Sequence, residues 1–479
     1  MLPSVAMNTP NAPKLYKTGT LSYTRNALAI MFFWMLWGEF CLELMEAVVP
    51  GILPLQLKRL GARDTVVAVF TSVSQIAYVV LGPTIAMQSD RHRGAFGRRR
   101  PFLLACTPFA VASLVLMGFT DNIAEFLYKY SHAFISLPET EVKLICLGVF
   151  CLFFYIANTY VIYIYWFLYV DVVPIAVIGR FAGLYRVCGA LGGFAFNRWL
   201  FGHAEHHTAA IYTIAAGIYG FAFILLTWRV KEGSYPPPEP RAIHGSIFLN
   251  DIKFFCRECF SNSFYIKLFS VSLCFWSTFS PFIIFVLFFA TKGTAIGYAP
   301  TLELPLEVFG KVRGWTFVAQ VPVFLLIGPL IDRLHPLRIM LVALLALSVS
   351  YFSGYLFVYS ERGLLVWWVT NQMVFAAALG AYGTLFPRLC PRDIYGAFFA
   401  ANQVFFMLGL AVITVACGWL MEVTRNYRDI FIVSGGFSLL AFVMCLSVFR
   451  HWKRLGGDDD FVPPRYQRKP ETTALRPSG

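Results

Sequence analysis

Length, composition and charge already exclude several classes of protein. The chain has 479 residues, of which 58% are hydrophobic and only 14% are charged, and its mean hydropathy is +0.64. A water-soluble fold of this size cannot bury so much apolar surface, so the composition predicts an integral membrane protein. The net charge of +13 is spread among the ends of apolar segments instead of forming one basic face, which disfavours a nucleic-acid-binding protein.

Apolar stretches recur along the whole chain, and each is about long enough to cross a ~30 Å hydrocarbon layer as a helix. They lie at 27–49, 65–88, 101–120, 144–170, 178–201, 208–228, 267–290, 312–331, 338–358, 363–387, 396–420 and 429–450. The sequence therefore predicts an all-α membrane protein with about 12 transmembrane helices.

A polar, Pro-rich segment, "KEGSYPPPEPRA", divides these stretches six and six and has the composition of an extended linker. Within this linker, apolar and charged residues of 246–260 alternate at helical spacing, which predicts a helix on the inner membrane surface that acts as a tether or a docking site. We predict an N-terminal tail at 1–26, a six-helix half at 27–228, the linker at 229–263, a second six-helix half at 264–450 and a disordered tail at 451–479.

Lys and Arg are concentrated in the two tails and in every second loop. This asymmetry predicts that both termini are cytoplasmic in a plasma (inner) membrane. The polar start lacks a cleavage pattern, so the first apolar stretch is predicted to be a retained helix.

Three carboxylates interrupt the first apolar stretch in "WGEFCLELMEAVVP". On a helix, Glu39, Glu43 and Glu46 lie within about 60° of one face. Facing lipid, each ionised group would cost on the order of 3 kcal/mol near the bilayer centre, so the face is predicted to line a central cavity. Burial and like charge disfavour a second ionised group, so at least one of Glu39 and Glu43 is expected to hold a proton near neutral pH. Glu46, nearer the outer boundary, is expected to be solvated.

Further polar groups lie within the apolar stretches. Arg186 is predicted either to contact the solute or a carboxylate, or to form a structural salt bridge with Glu39 or Glu43. Amides and an indole can bind sugar hydroxyls and stack on sugar rings, although buried amides also bridge helices. The candidates of this kind are Gln75, Asn158, Trp276, Gln320, Asn371 and Gln403, with Tyr382 and Asn402 at similar depth.

The two halves of the chain echo one another. "GPTIAMQSDRHRGAFGRRRPF" follows the second stretch of the first half, and "GPLIDRLHPLR" follows the second stretch of the second half. Because the echo falls at equivalent places, it indicates duplication, and hence two pseudo-symmetric six-helix halves with a cavity near the bilayer middle where they meet.

The loop "SDRHRGAFGRRRPF" resembles the signature loop of the major facilitator superfamily, and more narrowly that of sucrose/proton symporters and of glycoside-pentoside-hexuronide cation symporters. The resemblance implies a secondary active transporter that works by alternating access. Trp166 stands where the sucrose subfamily has an Arg-bearing site, so sucrose itself is not favoured.

The resemblance also implies a cytoplasmic gate in which a charge cluster holds the inner side closed. Asp90, Arg98, Arg100 and Asp171 would form it, with Arg91 in the same loop and with Asp332 and Arg333 as a second-half counterpart. The alternative is plain anchoring by cations at the inner surface, with contacts to anionic lipid.

Together these features predict a transporter of a small polar solute, a sugar or glycoside, in symport with protons. A proton-coupled exporter of a drug or metabolite is the first alternative, and a non-transporting membrane receptor or assembly factor is the second. The sequence has no GxxxxGK[ST] phosphate loop and no His, Ser or metal cluster beside the deep acids, so neither an ATP-driven pump nor an enzyme is predicted. We expect a monomer in the lipid bilayer whose partners are the solute and a proton, with no cofactor and no metal.

Overall fold

The computed structural model describes residues 15–131, 137–235, 259–291, 297–391 and 395–464. The chain opens with an antiparallel hairpin, β1 (Tyr16–Thr18) and β2 (Leu21–Tyr23), in which Tyr16 lies opposite Tyr23. The side chain of Thr24 then accepts a hydrogen bond from the amide of Ala27 and starts the first helix.

Long helices dominate the rest of the chain. The first seven are α1 (Arg25–Arg59), α2 (Asp64–Arg91), α3 (Arg100–Gly118), α4 (Thr120–Ser131), α5 (Glu139–Val172), α6 (Ile178–Ala195) and α7 (Thr208–Arg229). Those that follow are α8 (Ser263–Ala290), α9 (Leu306–Leu334), α10 (Pro336–Phe357), α11 (Glu361–Leu389), α12 (Tyr395–Thr424), α13 (Asp429–Arg454) and the short α14 (Gly457–Asp460).

Eleven helices in the described part of the chain are long and apolar enough to cross a membrane. The predicted all-α membrane fold is confirmed. The stretch expected at 178–201 is the helix α6, which carries Arg180 and Arg186 and continues through a π-helical turn at Phe196–Leu200; it is not among the eleven. The helix α4 was not predicted.

Contacts divide the chain into two units. The first comprises Met1–Glu239 and Glu303–Val321, and the second comprises Pro240–Leu302 and Pro322–Gly479. The beginning of α9 belongs to the first unit because Gly310 lies against the backbone of Asn197, where an added Cβ would be 2.5 Å from the carbonyl oxygen. The sequence-derived boundaries of the six-helix halves stay a prediction.

In the first unit α1 packs against α6 and α7, while α3 packs against α5 and α7. Glycines allow the closest approaches. A Cβ at Gly192 of α6 would lie 2.4 Å from the carbonyl oxygen of Phe40, and a Cβ at Gly38 of α1 would lie 2.6 Å from the Leu226 side chain. The backbones of α1 and α6 are therefore in direct contact around the acidic face of α1.

In the second unit α8 packs against α12 and α13, and α10 packs against α11 and α13. The helix α13 runs to Arg454, and the segment after it makes contacts: Arg338 pairs with Asp458, and Tyr265 Oη donates to the carbonyl oxygen of Pro464 at 2.9 Å. The predicted boundary of the disordered tail at 451 stays a prediction. Residues 465–479 and most of the predicted linker helix at 246–260 lie outside the described residues.

Candidate functional site

The three acids of α1 differ in how much of their surface is exposed. Glu39 is buried, with 2% of its surface exposed, Glu43 is half-buried and Glu46 is exposed. The Oε2 atom of Glu39 is buried without a hydrogen-bond partner among the described residues. The exposed surface of the acids therefore increases along α1 over seven residues, about 10 Å of helix.

A glycine of α6 makes room for two of these carboxyl groups. A Cβ built at Gly189 would lie 3.0 Å from Glu43 Cγ and 3.2 Å from Glu39 Oε1. One turn earlier, the buried hydroxyl of Tyr185 interacts with the Glu39 carboxyl, although Tyr185 Oη and Glu39 Oε2 have no partner with hydrogen-bond geometry in the described ranges. The site thus places a buried acid beside the polar hydroxyl of Tyr185.

Arg186 is an exposed residue of α6. Its charge acts on both Glu39 and Glu43, yet within the described part of the chain it forms no ion pair at 4.0 Å or less. The predicted structural salt bridge is therefore not formed in this structure. The guanidinium keeps its donors available.

Asn158 is buried on α5 and is bonded to protein partners at both ends of its amide. Its Nδ2 donates to Glu46 Oε1 at 2.8 Å, and its Oδ1 accepts from Tyr219 Oη of α7 at 2.8 Å. The structure places Asn158 as a support for Glu46 and leaves it little capacity for a solute. Tyr219 is a residue that the sequence reasoning missed, since one tyrosine among 23 carries no signal of its own.

Two of the other polar candidates belong to the first unit. With its amide in the orientation that satisfies its surroundings, Gln75 donates to the carbonyl oxygens of Ser72 at 2.8 Å and Thr71 at 3.2 Å, both within its own helix. Gln320 on α9 is half-buried. The hydrogen bonds of Gln75 stay within α2 and do not reach the acids of α1.

The second unit holds the remaining polar candidates. Trp276 lies edge-on to Tyr382 and stacks on Phe406, both with ring centroids 6.1 Å apart, and its indole N–H has no hydrogen-bond partner in the described segments. The Nδ2 of Asn402 donates to Tyr382 Oη at 3.3 Å, while its Oδ1 has no partner among those segments.

Two more candidates of the second unit lie on α11 and α12. Asn371 donates to Ser350 Oγ at 3.0 Å, and its Oδ1 is buried without a hydrogen-bond partner within the described ranges. Gln403 is half-buried beside Asn402. This unit therefore keeps buried polar atoms that its own packing does not satisfy.

A second constellation surrounds the loop between α2 and α3. Arg98 binds Asp171 at the end of α5 through two hydrogen bonds, of 2.7 and 3.2 Å, and Arg99 binds the same carboxylate at 3.2 Å. Arg99 also binds Asp90 at 2.5 Å, and Arg98 lies 3.6 Å from Asp90. Burial lowers the pKa of Arg98, but the bonds and charge of Asp171 outweigh this and raise its pKa above the ordinary value.

Glu232, in the segment after α7, completes this cluster. Its carboxylate accepts from the backbone amides of Arg98, Arg99 and Arg100 at 2.8–3.1 Å. These are free donors at the start of α3, where a negative charge also favours the helix dipole. Gly97 has φ +95°, and a Cβ there would lie 2.8 Å from Glu232, so this position requires glycine.

The cluster departs from the predicted gate in three respects. Its most buried cation is Arg99, which the sequence reasoning did not select, whereas Arg100 donates to the carbonyl oxygen of Thr227 at 2.5 Å. Arg91 is exposed and has no carboxylate within 4.0 Å among the described residues. Glu232 was also missed because it lies far along the chain. We name the group of Asp90, Arg98, Arg99, Asp171 and Glu232 the charge cluster.

The aromatic ring of Tyr235 covers this cluster. The Arg98 guanidinium lies 3.8 Å from its centroid. Burial, followed by the charge of Asp171, raises the pKa of Tyr235 to about 12, so its hydroxyl stays neutral at physiological pH. The segment that carries Glu232 and Tyr235 also binds the N-terminal hairpin, because the amide of Ser234 donates to Thr20 Oγ1 at 2.8 Å.

The predicted counterpart in the second unit is the connection between α9 and α10, which is much shorter than the loop between α2 and α3. Arg333 is exposed, and the side chain of Asp332 lies outside the described residues. His335 joins α9 to α10 with φ +66° and stacks on Trp452 with centroids 4.4 Å apart. Burial, aided by the nearby charge of Arg388, lowers the pKa of His335 to about 4.

Comparison with known proteins decides the family. The sequence model of the family described as "MFS/sugar transport protein" matches residues 38–302, more than half of the chain. The chain belongs to this family. It is therefore an integral membrane protein of the major facilitator superfamily, with a small-molecule solute as its partner, and the family points to transport rather than to enzymatic catalysis.

Solved structures agree with this fold at low sequence identity. A mutant of the nucleoside transporter NupG is 13% identical, with a TM-score of 0.64 over 88% of this chain and 100% of that one. A D-xylose-proton symporter is 14% identical, with a TM-score of 0.59 over 88% and 96% of the two chains. A bacterial homologue of the iron transporter ferroportin, in an inward-facing state, is 14% identical, with a TM-score of 0.61 over 88% and 99%.

Proposed function

We propose that this transporter moves a sugar or glycoside in symport with protons by alternating access. Glu39 and Glu43 carry the proton, and Arg186 contacts the solute or a carboxylate at a different stage of the cycle. In this proposal the protein acts as a monomer in the plasma (inner) membrane with both termini in the cytoplasm.

The observation that carries the proposal is the buried carboxyl of Glu39 beside Glu43, whose Oε2 has no hydrogen-bond partner among the described residues. An ionised carboxylate that is buried without a partner costs several kcal/mol, and a second charge nearby adds to that cost. The charge state of the pair therefore depends on whether water reaches it. Alternating access changes the access of water, which is how such a pair can load a proton on one side and release it on the other.

Two observations support a polyhydroxyl solute. The second unit holds an indole N–H at Trp276 and amide oxygens at Asn371 and Asn402 without hydrogen-bond partners among its described residues. A ring stacked between aromatic side chains and bonded by such groups is a common way to hold a sugar. Among proteins with the same fold, one transports D-xylose with protons and one transports nucleosides, whose sugar ring is chemically similar.

The charge cluster supports a gate on the cytoplasmic side. Each of its carboxylates binds at least two cationic or amide donors, so the loop between α2 and α3 is held firmly to the end of α5. In our proposal this anchored loop forms the inner gate of the first unit and breaks some of these bonds when the inner side opens.

A thermal-shift screen of the purified protein against monosaccharides, disaccharides and nucleosides, at acidic and at neutral pH, tests this function. A solute present at 100 times its Kd is expected to stabilise the protein by about 2.7 kcal/mol. We expect the shift of at least one sugar to depend on pH, and Glu39→Gln to remove that dependence. If no sugar or glycoside shifts Tm, the solute class is wrong; if shifts are equal at both pH values in the unmodified protein, proton coupling is wrong.

A further inference from the structure

The three acids of α1 are not equivalent, and the outermost, Glu46, accepts a hydrogen bond from a neighbouring helix. Glu46 is exposed and its Oε1 is held by Asn158, whereas Glu39 is buried and its Oε2 has no hydrogen-bond partner in the part of the chain that the structure describes. Resting on the proposed proton coupling, we propose that Glu46, with Asn158 and Tyr219 as positioning residues, is the group that takes protons from water and passes them to Glu43 and Glu39.

The position of Glu46 along α1 separates it from the charge cluster. The N-terminal hairpin before α1 binds Ser234, two residues after Glu232 of the charge cluster, so the Arg25 end of α1 lies on the charge-cluster side. Glu46 lies about 30 Å further along the helix. It therefore lies further than Glu39 and Glu43 from the charge cluster, toward the Arg59 end of α1.

Two hydrogen bonds fix the orientation of the Asn158 amide. Tyr219 Oη donates to Asn158 Oδ1, which leaves the amide NH₂ of Asn158 to donate to Glu46. A donor aimed at a carboxylate favours its ionised form. The bond from Asn158 thus holds the Glu46 carboxyl in one orientation, and its loss should favour the protonated form.

Several titratable groups on the packed elements act on Glu46. On its own helix these are Glu43 and Glu39, and on the neighbouring helices they are Tyr78 of α2, Tyr155 of α5 and Tyr219 of α7. Phenols exchange protons only far above neutral pH, so the two carboxyls of α1 are the acceptors within reach of a proton held on Glu46. Each transfer moves one proton from a carboxylic acid to a carboxylate and breaks no other bond.

Carbodiimide labelling of the full-length protein in lipid nanodiscs tests this without a solute, because carbodiimides react with protonated carboxyls. The adduct at each glutamate is measured by mass spectrometry as a function of pH. We expect a water-soluble carbodiimide to label Glu46 and a hydrophobic one to be needed for Glu39. Asn158→Leu should move the labelling midpoint of Glu46 upward by about one pH unit, as expected for a lost hydrogen bond to a charged group.

Matched variants separate a positioning role of Tyr219 from a general effect on folding. Tyr219→Phe removes the bond that orients Asn158 and should move the midpoint by a smaller amount in the same direction. Tyr212→Phe removes a comparable bond on the same helix, to Gln56 Oε1 at 3.1 Å, and should leave the midpoint unchanged. After a pH jump, pulse labelling of Glu39 should be several-fold slower in Glu46→Gln.

The proposal is overturned if Glu46 is not labelled by the water-soluble reagent, or if its midpoint is the same in Asn158→Leu and the unmodified protein. It is also overturned if Glu46→Gln leaves the kinetics of Glu39 unchanged. Any of these results, together with pH-dependent sugar binding that Glu39→Gln abolishes, would leave the proposed symport intact and remove only Glu46 from it.

Discussion

The charge cluster and the acidic face of α1 lie in the same unit and contain the same kinds of group, but they are bonded in opposite ways. In the charge cluster Asp171 binds two arginines and Glu232 binds three backbone amides. On the acidic face Glu39 has an unpaired oxygen and Arg186, nearby, has no ion pair among the described residues.

This difference separates two uses of charge in a membrane protein. Groups that are fully bonded stabilise one arrangement, because removing a partner leaves the others desolvated and unpaired. Groups that lack partners are costly in the charged state and respond to water and protons. Substitutions should therefore change stability in the charge cluster and proton coupling on the acidic face.

The largest loss of stability is expected from Asp171→Asn. The carboxylate is 12% exposed and binds Arg98 and Arg99, so replacing it leaves two largely buried cations short of a partner. We expect a loss of about 3 kcal/mol in the free energy of unfolding, measured by denaturing titration in mixed micelles. Asp121→Asn, which breaks a pair with Arg59 whose members are 46% and 50% exposed, should cost less than about 1 kcal/mol. Equal losses would contradict the claim that the charge cluster stabilises the fold more than an exposed ion pair does.

A smaller loss of stability is expected in the second unit when the pH is lowered. The pKa of folded His335 is about 4, below the value near 6.5 in an unfolded chain, so the unfolded state takes up the proton first. Stability should be complete above pH ~6.5 and fall by about 2 kcal/mol as the pH drops toward 4. Denaturing titrations across this range should show that His335→Gln removes most of the dependence, while His203→Gln, at an exposed position, does not. This account would be refuted if the free energy of unfolding of His335→Gln depended on pH as it does in the unmodified protein.

The next effect concerns the start of α3. Glu232→Ala removes the acceptor of three backbone amides and a charge at the helix N-terminus, and it should cost about 1.5 kcal/mol. Glu361→Ala removes an exposed acid from the first turn of α11, where Ser360 provides the cap, and should cost a few tenths of a kcal/mol at most. Unfolding by heat, compared between the two variants, checks this. A Tm for Glu232→Ala equal to that of Glu361→Ala would mean that the contact does not stabilise the loop.

The smallest change in stability, with a distinct change in function, is expected from Gly189→Ala. The new Cβ would lie 3.0 Å from Glu43 Cγ and 3.2 Å from Glu39 Oε1, so it displaces the carboxyl groups by a few tenths of an ångström. The free energy of unfolding should change by less than about 1 kcal/mol, since alanine is the better helix former. The pH at which sugar binding is half-maximal should shift. Gly217→Ala, with open space around it, is the control and should change neither.

The sequence predicted the membrane helices well because apolar length is a strong and local signal. It also placed the acids of α1 on one face, since helical spacing determines that. It did not find Glu232, Arg99 or Tyr219, whose importance comes from contacts between segments distant in the chain. For Asn158, spacing identified a polar group at depth, but only the structure shows that Glu46 and Tyr219 occupy both ends of its amide.

The role of Glu39 and Glu43 as proton carriers is tested most directly by uptake into proteoliposomes of a sugar that shifts Tm in the binding screen. With an imposed inward proton gradient, the unmodified protein should accumulate the sugar above equilibrium, whereas Glu39→Gln/Glu43→Gln should only equilibrate it while still exchanging labelled for unlabelled sugar. Accumulation that ignores the gradient in the unmodified protein, or that survives intact in the double variant, would contradict the account.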